Sequence, residues 1–286
     1  MSIELIRPRP EHASELGRIC YEAFKDIADK HHFPHDFPTV GIARRLMSLL
    51  VQREDVYGVA AMNNGDVAGS NFLLTADEAA GVGPITVEVS LQGGRIGRAL
   101  MEDVIDRARQ ERIEMVRLVQ DAFNTTSMSL YGSLGFDVRE PLALMQPPPA
   151  EEVDPSVRPV TEDDLSAVDE LSRRFYKISR RNEVAAAIGS PFAYLLKERE
   201  GRIVGYYTQG MLGHGVAETE DDMVVMVRQA ARALPPGHAR CFCPLIDGNL
   251  FRRFLSAGFR TVKPMNLMTM GPYERPEGVW VPSVMF

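Results

Sequence analysis

A chain of 286 residues is long enough for about two domains, and its 45% hydrophobic and 25% charged content suits well-formed soluble cores. No apolar run approaches the ~20 residues of a membrane span, and a formal net charge of −7 argues against nucleic acid as the main partner while suiting a cationic amine. Cys20, Cys241 and Cys243 cannot all pair with one another, and the start Met1-Ser2-Ile3-Glu4 lacks a basic-then-apolar leader, so a reduced, cytoplasmic setting is expected.

Ile3 to Arg7 reads as a strand. Pro10 to Ala23 reads as a helix, with Leu16, Ile19, Cys20 and Phe24 spaced along one face. The piece His31-His32-Phe33-Pro34-His35-Asp36-Phe37-Pro38 holds three histidines and an aspartate. Its two prolines favour an extended loop and no second ligand cluster is evident, so no metal is expected. The loop faces substrate or is plain surface. A second helix is predicted from Thr39 to Gln52. Val56 to Met62 and Val67 to Leu74, joined through Asn64-Gly65, form a predicted β-hairpin.

The stretch from Ile85 to Arg109 is the one around which the chain is organised. An apolar run, Ile85-Thr86-Val87-Glu88-Val89, reads as a strand. It enters the turn Ser90-Leu91-Gln92-Gly93-Gly94-Arg95-Ile96-Gly97-Arg98. A helix then buries Leu100, Met101, Val104, Ile105 and Ala108, with Asp103, Asp106, Arg107 and Gln110 facing away. Free N–H groups at a helix N-terminus bind anions, and glycines let a pyrophosphate approach the backbone. Arg95 and Arg98 add positive charge there. The spacing fits neither G-x-G-x-x-G nor G-x-x-x-x-G-K-[ST]. An ordinary glycine turn is the bland alternative.

Gln92, Gly97, Arg98 and Ala99-Leu100-Met101 resemble the acyl-CoA loop of the GNAT N-acetyltransferases, [QR]-x-x-G-x-[GA] after a strand. Arg95 stands where that family usually has its first glycine, and Gly94 comes one residue early. Met115 to Val119 reads as the next strand. It leads through Asp121-Ala122-Phe123-Asn124 into a helix from about Thr126 to Leu134 that carries Tyr131 and ends at Gly135-Phe136. This Asn-x(6)-Tyr-x(3)-Gly-Phe run resembles a second GNAT signature, at the family's usual separation from the first. The resemblance covers Ile3 to Met145. It implies an α/β fold of the mixed α+β kind: a mostly antiparallel sheet with a splayed parallel centre, flanked by helices.

Gln146 to Pro155 is proline-rich and acidic, the composition of an extended linker. The second half repeats the first. Arg158-Pro159 echoes Arg7-Pro8, Gly201 to Gly205 echoes Gly65 to Gly69, and Gly258-Phe259 echoes Gly135-Phe136. The expected organisation is therefore two tandem GNAT-like domains: 1–146, catalytic; 147–155, linker; 156–286, degenerate. Aligned on the Gly-Phe pairs, Gly93 to Arg98 falls on Val216 to Asp221, Tyr131 on Phe254 and Asn124 on Asp247. The second copy thus lacks both a phosphate loop and a tyrosine hydroxyl. It is left to cover the first domain, to shape the acceptor site or to form an oligomer interface, such as that of a homodimer. The tail from Gly271 to Phe286, with Trp280, is too apolar to float free.

The resemblance implies direct acyl transfer from acetyl-CoA to an amine, small or on a protein or peptide, with no metal. Backbone groups of Val87 and Val89 would pair with pantetheine and polarise the thioester carbonyl. Gln92 and the run Gly93, Gly94, Arg95, Ile96, Gly97 and Arg98 would hold the pyrophosphate. Asn124 would help position the cofactor arm, and Tyr131 would protonate the leaving thiolate. Glu88 is a candidate base or a salt-bridged strand residue, with Asp121 and the histidine loop weaker candidates. A non-catalytic acyl-CoA sensor and an interaction protein remain as other readings.

Overall fold

In a computed structural model that describes residues 3–190, 193–208, 213–235 and 237–284, the chain packs around two cores. One unit holds the chain through Leu118 together with Phe123–Asp137. The other holds Val119–Ala122 and Val138–Val284.

The first unit begins with β1 (Ile3–Ile6), α1 (Ala13–His31) and α2 (Val40–Gln52). The hairpin β2 (Val56–Asn63) and β3 (Asp66–Leu74) comes next, then β4 (Ala79–Val82), β5 (Thr86–Val87), α3 (Ile96–Gln110), β6 (Met115–Asp121) and α4 (Thr125–Ser133). Asn64 (φ 53°) and Gly65 (φ 91°) both turn left-handed, the geometry that matches strand twist in a two-residue hairpin. Helix α1 runs past the expected end at Ala23. Phe24 and the buried Ala28 continue its apolar stripe, and it stops only where His32 turns left-handed.

The strands lie in the order β1-β2-β3-β4-β6, antiparallel except for the parallel β4–β6 pair. Successive side chains of β3 face opposite ways. Phe72 packs with Leu16, Cys20, Ala43 and Met47 of α1 and α2. Asn71 instead donates to the Leu100 carbonyl of α3 at 3.3 Å. The sheet is therefore sandwiched between α1 and α2 on one face and α3 on the other.

Two features of the centre differ from the sequence reading. Ala79-Ala80-Gly81-Val82, too poor in β-formers to be predicted, is the strand that joins β3 to β6. The expected strand Ile85 to Val89 shrinks to Thr86–Val87, because Val89–Leu91 curls into a 3-10 turn closed by the Leu91 N–H on the Glu88 carbonyl at 2.8 Å. After Gly83-Pro84 the chain stays on β3 through β5, while β6 pairs with β4 behind it. This is the splayed centre that the resemblance implied.

The second unit contains β7 (Asp137–Gln146), β8 (Val157–Pro159), α5 (Leu165–Tyr176), α6 (Arg181–Ala187), β9 (Tyr194–Arg199), β10 (Arg202–Thr208) and β11 (Gly215–Ala217). It continues with α7 (Glu220–Ala231), β12 (Cys241–Pro244), α8 (Gly248–Ser256), β13 (Arg260–Met270) and β14 (Val279–Val281). One sheet runs β14-β11-β10-β9-β8, all antiparallel. Strand β7 pairs with β12, so Ala143 and Met145 enter this unit's core beside Cys241 and Cys243. The proline-rich segment is tied down as well: the Ala150 N–H bonds to the Arg228 carbonyl at 2.9 Å, and the Asp154 N–H to Gln229 Oε1 at 2.9 Å. Trp280 is buried in β14, opposite Val216, while Met285 and Phe286 lie outside the described residues. Cys20, Cys241 and Cys243 are all free and buried, and burial pushes each thiol above its usual range.

A polar knot is enclosed in the second unit. Arg180 and Glu183 form an ion pair. The Tyr194 hydroxyl donates to Glu183 Oε1 at 3.0 Å and lies 2.9 Å from His214 Nδ1. Since that hydroxyl's proton goes to Glu183, His214 Nδ1 is the donor. Among the described residues, His214 Nε2 is then a buried lone pair without a partner. Burial, with Arg180 nearby, pushes the imidazole down to about 4 from its ordinary 6.5. The unfolded chain therefore takes up a proton that the folded one refuses as pH falls from 6.5 toward 4. On the order of 3 kcal/mol of stability should be lost across that window. Thermal unfolding of the native protein should fall steeply from pH 6.5 to 4. His214→Gln should flatten that slope, and an unchanged slope would mean that His214 is not its source.

Candidate active site

The loop before α3 leaves a helix N-terminus open. Helix α3 has no side-chain cap and no acidic residue in its first turn. Its leading N–H groups therefore face outward with positive partial charge. Gly93 turns at φ 81°, and a Cβ on Gly94 would crowd the Leu91 carbonyl at 3.2 Å. Arg95 is the N-cap residue and is left-handed at φ 66°, a conformation that costs a non-glycine residue roughly 1–2 kcal/mol. That explains why the related pattern keeps glycine there. The Arg98 guanidinium bonds to Ser133 Oγ at 2.6 Å and so links α3 to α4.

Strand β5, α3 and α4 converge at Gly97. A Cβ there would lie 3.6 Å from Leu130 and 3.8 Å from Val87 Cγ2. Val87 thus turns its side chain toward α3. Its backbone orientation is set by its neighbour: the Glu88 N–H is given to the Ala68 carbonyl at 2.9 Å, so Val87 and Gly69 form a non-hydrogen-bonded pair. The N–H and C=O of Val87 therefore point away from β3. The Val87 carbonyl accepts a bond from Gln92 Nε2 at 3.3 Å. Val89 has left the strand, and its carbonyl meets the Gln92 N–H at 3.4 Å inside the 3-10 turn.

Tyr131 lies one turn into α4 from Ser127 and is 7% exposed. The Phe136 N–H bonds to its carbonyl, and Phe136 packs at a ring separation of 6.2 Å. Asn124 is the N-cap of α4 and accepts the Ser127 N–H at 3.1 Å. Asp121, the weaker base candidate, is enclosed beside Lys263 at 2.7 Å in the second unit. In the histidine loop, Phe33 stacks on Phe123 at 4.3 Å, while His35 meets Asp29 at 2.6 Å. Among the described residues, no three His, Cys, Asp or Glu side chains gather in a metal-holding group.

Glu88 points the other way from Val87, toward α1. There Arg18 Nη2 holds its carboxylate at 2.5 Å. The same guanidinium binds Glu15 at 2.6 Å and is also paired with Glu22. Sequence reading missed Arg18. The Glu15, Arg18, Glu22 spacing announces local helix pairs, but nothing in it points to a partner seventy positions away.

The second unit repeats the frame without the loop. Gly205 pairs with Ala217 as Gly69 pairs with Val87, and the Glu218 N–H goes to the Val204 carbonyl as that of Glu88 goes to Ala68. Both glycines are required by the close strand: a Cβ would strike the Thr86 carbonyl at 2.4 Å or the Val216 carbonyl at 2.7 Å. Glu218 is thus the counterpart of Glu88. Eight positions separate Glu88 from the start of α3, but only two separate Glu218 from the start of α7. This corrects the sequence alignment: Val216 and Ala217 are strand, and the counterpart of the loop before α3 is deleted rather than replaced by acids. Thr219 caps α7, accepting the Asp222 N–H at 3.2 Å, and Asp221 pairs with Arg253 of α8. At the other landmark the alignment stands, because the Phe259 N–H bonds to the Phe254 carbonyl as Phe136 does to Tyr131.

Residues 20–136 match the model of the Acetyltransferase (GNAT) family. An IAA acetyltransferase from Azospirillum brasilense is 29% identical over 100 residues, 34% of this chain and 65% of that relative's length. A Pyrococcus horikoshii structure, described only provisionally as an acetyltransferase, superposes with a TM-score of 0.77 at 15% identity over 99% of this chain and 94% of its own. A GCN5-related N-acetyltransferase from Sphaerobacter thermophilus superposes at 0.62 with 14% identity, over 97% and 98%. At such identities the two structures speak for the fold alone. The likeness to the GNAT acetyltransferase family thus lies in residues 20–136.

Proposed function

We propose that the first unit is an N-acetyltransferase that passes an acetyl group from acetyl-CoA to an amine by direct attack. The observation that carries this reading is the uncapped N-terminus of α3, with Arg95 and Arg98, beside a strand whose Val87 N–H and C=O are turned away from β3. Bound acetyl-CoA supplies an activated thioester. The α3 N–H groups, with Gln92, Gly93, Gly94, Arg95, Ile96, Gly97 and Arg98 around them, hold its pyrophosphate. Val87 aligns the pantetheine arm, and its N–H polarises the carbonyl oxygen. Asn124 caps α4 and so steadies Tyr131, whose hydroxyl gives a proton to the departing thiolate. Glu88 takes the proton released by the amine, directly or through water. Holding donor and acceptor together supplies much of the rate.

Catalysis falls to the first unit because the second has no phosphate loop and Phe254 has no hydroxyl. One acetyl-CoA should bind per chain. Titration calorimetry that finds two comparable sites would refute this.

Arg95 supports binding at the expense of the fold. Arg95→Gly removes a charge that contacts phosphate and should weaken CoA binding by ~1.5–3 kcal/mol. The same change relieves a left-handed arginine and should raise stability by up to about 1 kcal/mol in chemical denaturation. Unchanged or tighter CoA binding would mean that Arg95 is tolerated rather than used.

Tyr131→Phe should fold normally, since Phe254 occupies the matching position in the second unit, and should still bind acetyl-CoA. Its kcat should fall by roughly 10²–10⁴. Unchanged turnover with unchanged binding would remove Tyr131 as the acid. The Arg18 clasp on Glu88 favours one other reading, a non-catalytic acyl-CoA binder whose would-be base is already engaged. Thiol release with a panel of amines separates the two: a sensor binds CoA and releases no thiol.

A further inference from the structure

We propose that the acceptor is a small alkyl amine carrying a second positive charge, seated in a cavity of the first unit between α1, the β2–β3 turn and the end of β5. The proposal rests on the acetyl-transfer reading above. The cavity measures about 580 Å³, and its walls include Glu15, Arg18, Asn63, Asp66, Glu88 and Leu91. That is ample for a diamine and falls within the usual range of small-ligand sites. It opens on the α1 side of the sheet, beside Glu88, and so next to the residue whose backbone would align the thioester.

Its charge selects the ligand. Glu15, Glu22 and Glu88 converge on one guanidinium, that of Arg18. Arg44 lends a second positive charge to Glu15, whose carboxyl Arg18 and Arg44 hold below its usual range. Asp66 stands on the same cavity wall as the hairpin turn. On the cavity wall itself three carboxylates, Glu15, Asp66 and Glu88, thus stand with one arginine, Arg18, and one histidine, His12, and the deficit is cationic. Arg18 itself demonstrates that these carboxylates are placed to hold a cation. Asn63, also on the wall, has its Oδ1 enclosed without a hydrogen-bond partner among the described residues, an acceptor suited to an ammonium N–H. Met62, Val67 and Leu91 add apolar lining for a methylene chain. A neutral-tailed amine would use that lining and leave the carboxylates unanswered.

The reaction balances simply. The amine reaches Glu88 as an ammonium and gives up one proton. Its nitrogen forms the amide bond as the C–S bond breaks, the thiolate takes a proton from Tyr131, and the second proton shed by the attacking nitrogen returns to the Tyr131 oxygen. The second ammonium keeps its charge throughout and stays with Asp66 and Glu15.

The test compares 1,5-diaminopentane with pentylamine on the full chain in the presence of CoA. Calorimetry reads binding, and thiol release reads turnover. The diamine should bind at least about tenfold more tightly. Asp66→Asn and Glu15→Gln should erase most of that preference through the KM of the diamine, with the affinity for acetyl-CoA unchanged. Equal affinities, or a preference that survives both variants, would overturn the proposal. So would acetylation of a lysine-containing peptide with no diamine binding. If pentylamine is turned over while the diamine binds without being acetylated, the cavity is not the acceptor site. If the diamine binds through Asp66 and Glu15 but no amine releases thiol, the acetyl-transfer reading itself fails, and the acceptor role fails with it.

Discussion

One hydrogen bond, from the Glu88 N–H to the Ala68 carbonyl, sets the orientation of everything around the candidate site. Because Glu88 spends its donor on β3, Val87 turns its own polar groups the other way. Because side chains alternate, Val87 meets α3 while Glu88 meets α1. The proposed cofactor arm on one side and the proposed proton acceptor on the other would thus be two consequences of a single register. A slip of one residue would exchange them. The glycine at 69 guards that register: any side chain there would collide with the Thr86 carbonyl and push β5 off β3.

Much of this is legible in the sequence. The hairpin at Asn64-Gly65, the buried face of α3 and the glycine stop after α4 all obey local rules about left-handed turns and helical spacing. The candidate loop is visible because its residue types are unusual together. The features hidden from a sequence reading depend on distant partners. Strand β4 is Ala-Ala-Gly-Val and is held in place by β3 and β6, not by propensity. Arg18 looks like an ordinary helical arginine until the sheet brings Glu88 to it. The alignment at Val216 to Asp221 fails for a different reason. Counting back from Gly258-Phe259 assumes equal spacing, and a deletion breaks it. The strand pairing of Gly205 with Ala217 exposes the gap because register, unlike spacing, cannot absorb missing residues.

The two units show what a loop kept open for phosphate would ask of a fold. In the first, α3 begins without a cap, Arg95 is held left-handed, and charged side chains of one sign share the turn. Each feature weakens the free protein. In the second, the same helix start carries a threonine cap and three acids in its first turn, all favourable to the helix dipole. The contrast is what is expected where one helix start is kept open for an anion and the other is not.

The second unit also keeps what the loop does not require. Glu218 retains the backbone bond of Glu88 and, like it, is met by arginine, here Arg174, Arg199 and Arg202. Three arginines, with Asp222 sharing Arg199, over-neutralise that carboxylate, whereas in the first unit three carboxylates over-neutralise Arg18. The same strand end thus carries opposite excess charge in the two copies. A glutamate surrounded by excess positive charge is held ionised and has little call on a further cation. A glutamate that shares one guanidinium with two other acids keeps unmet demand for positive charge. Loop deletion and charge reversal therefore point the same way, because on the proposed reading a unit that holds no acyl donor would have no use for drawing in an amine.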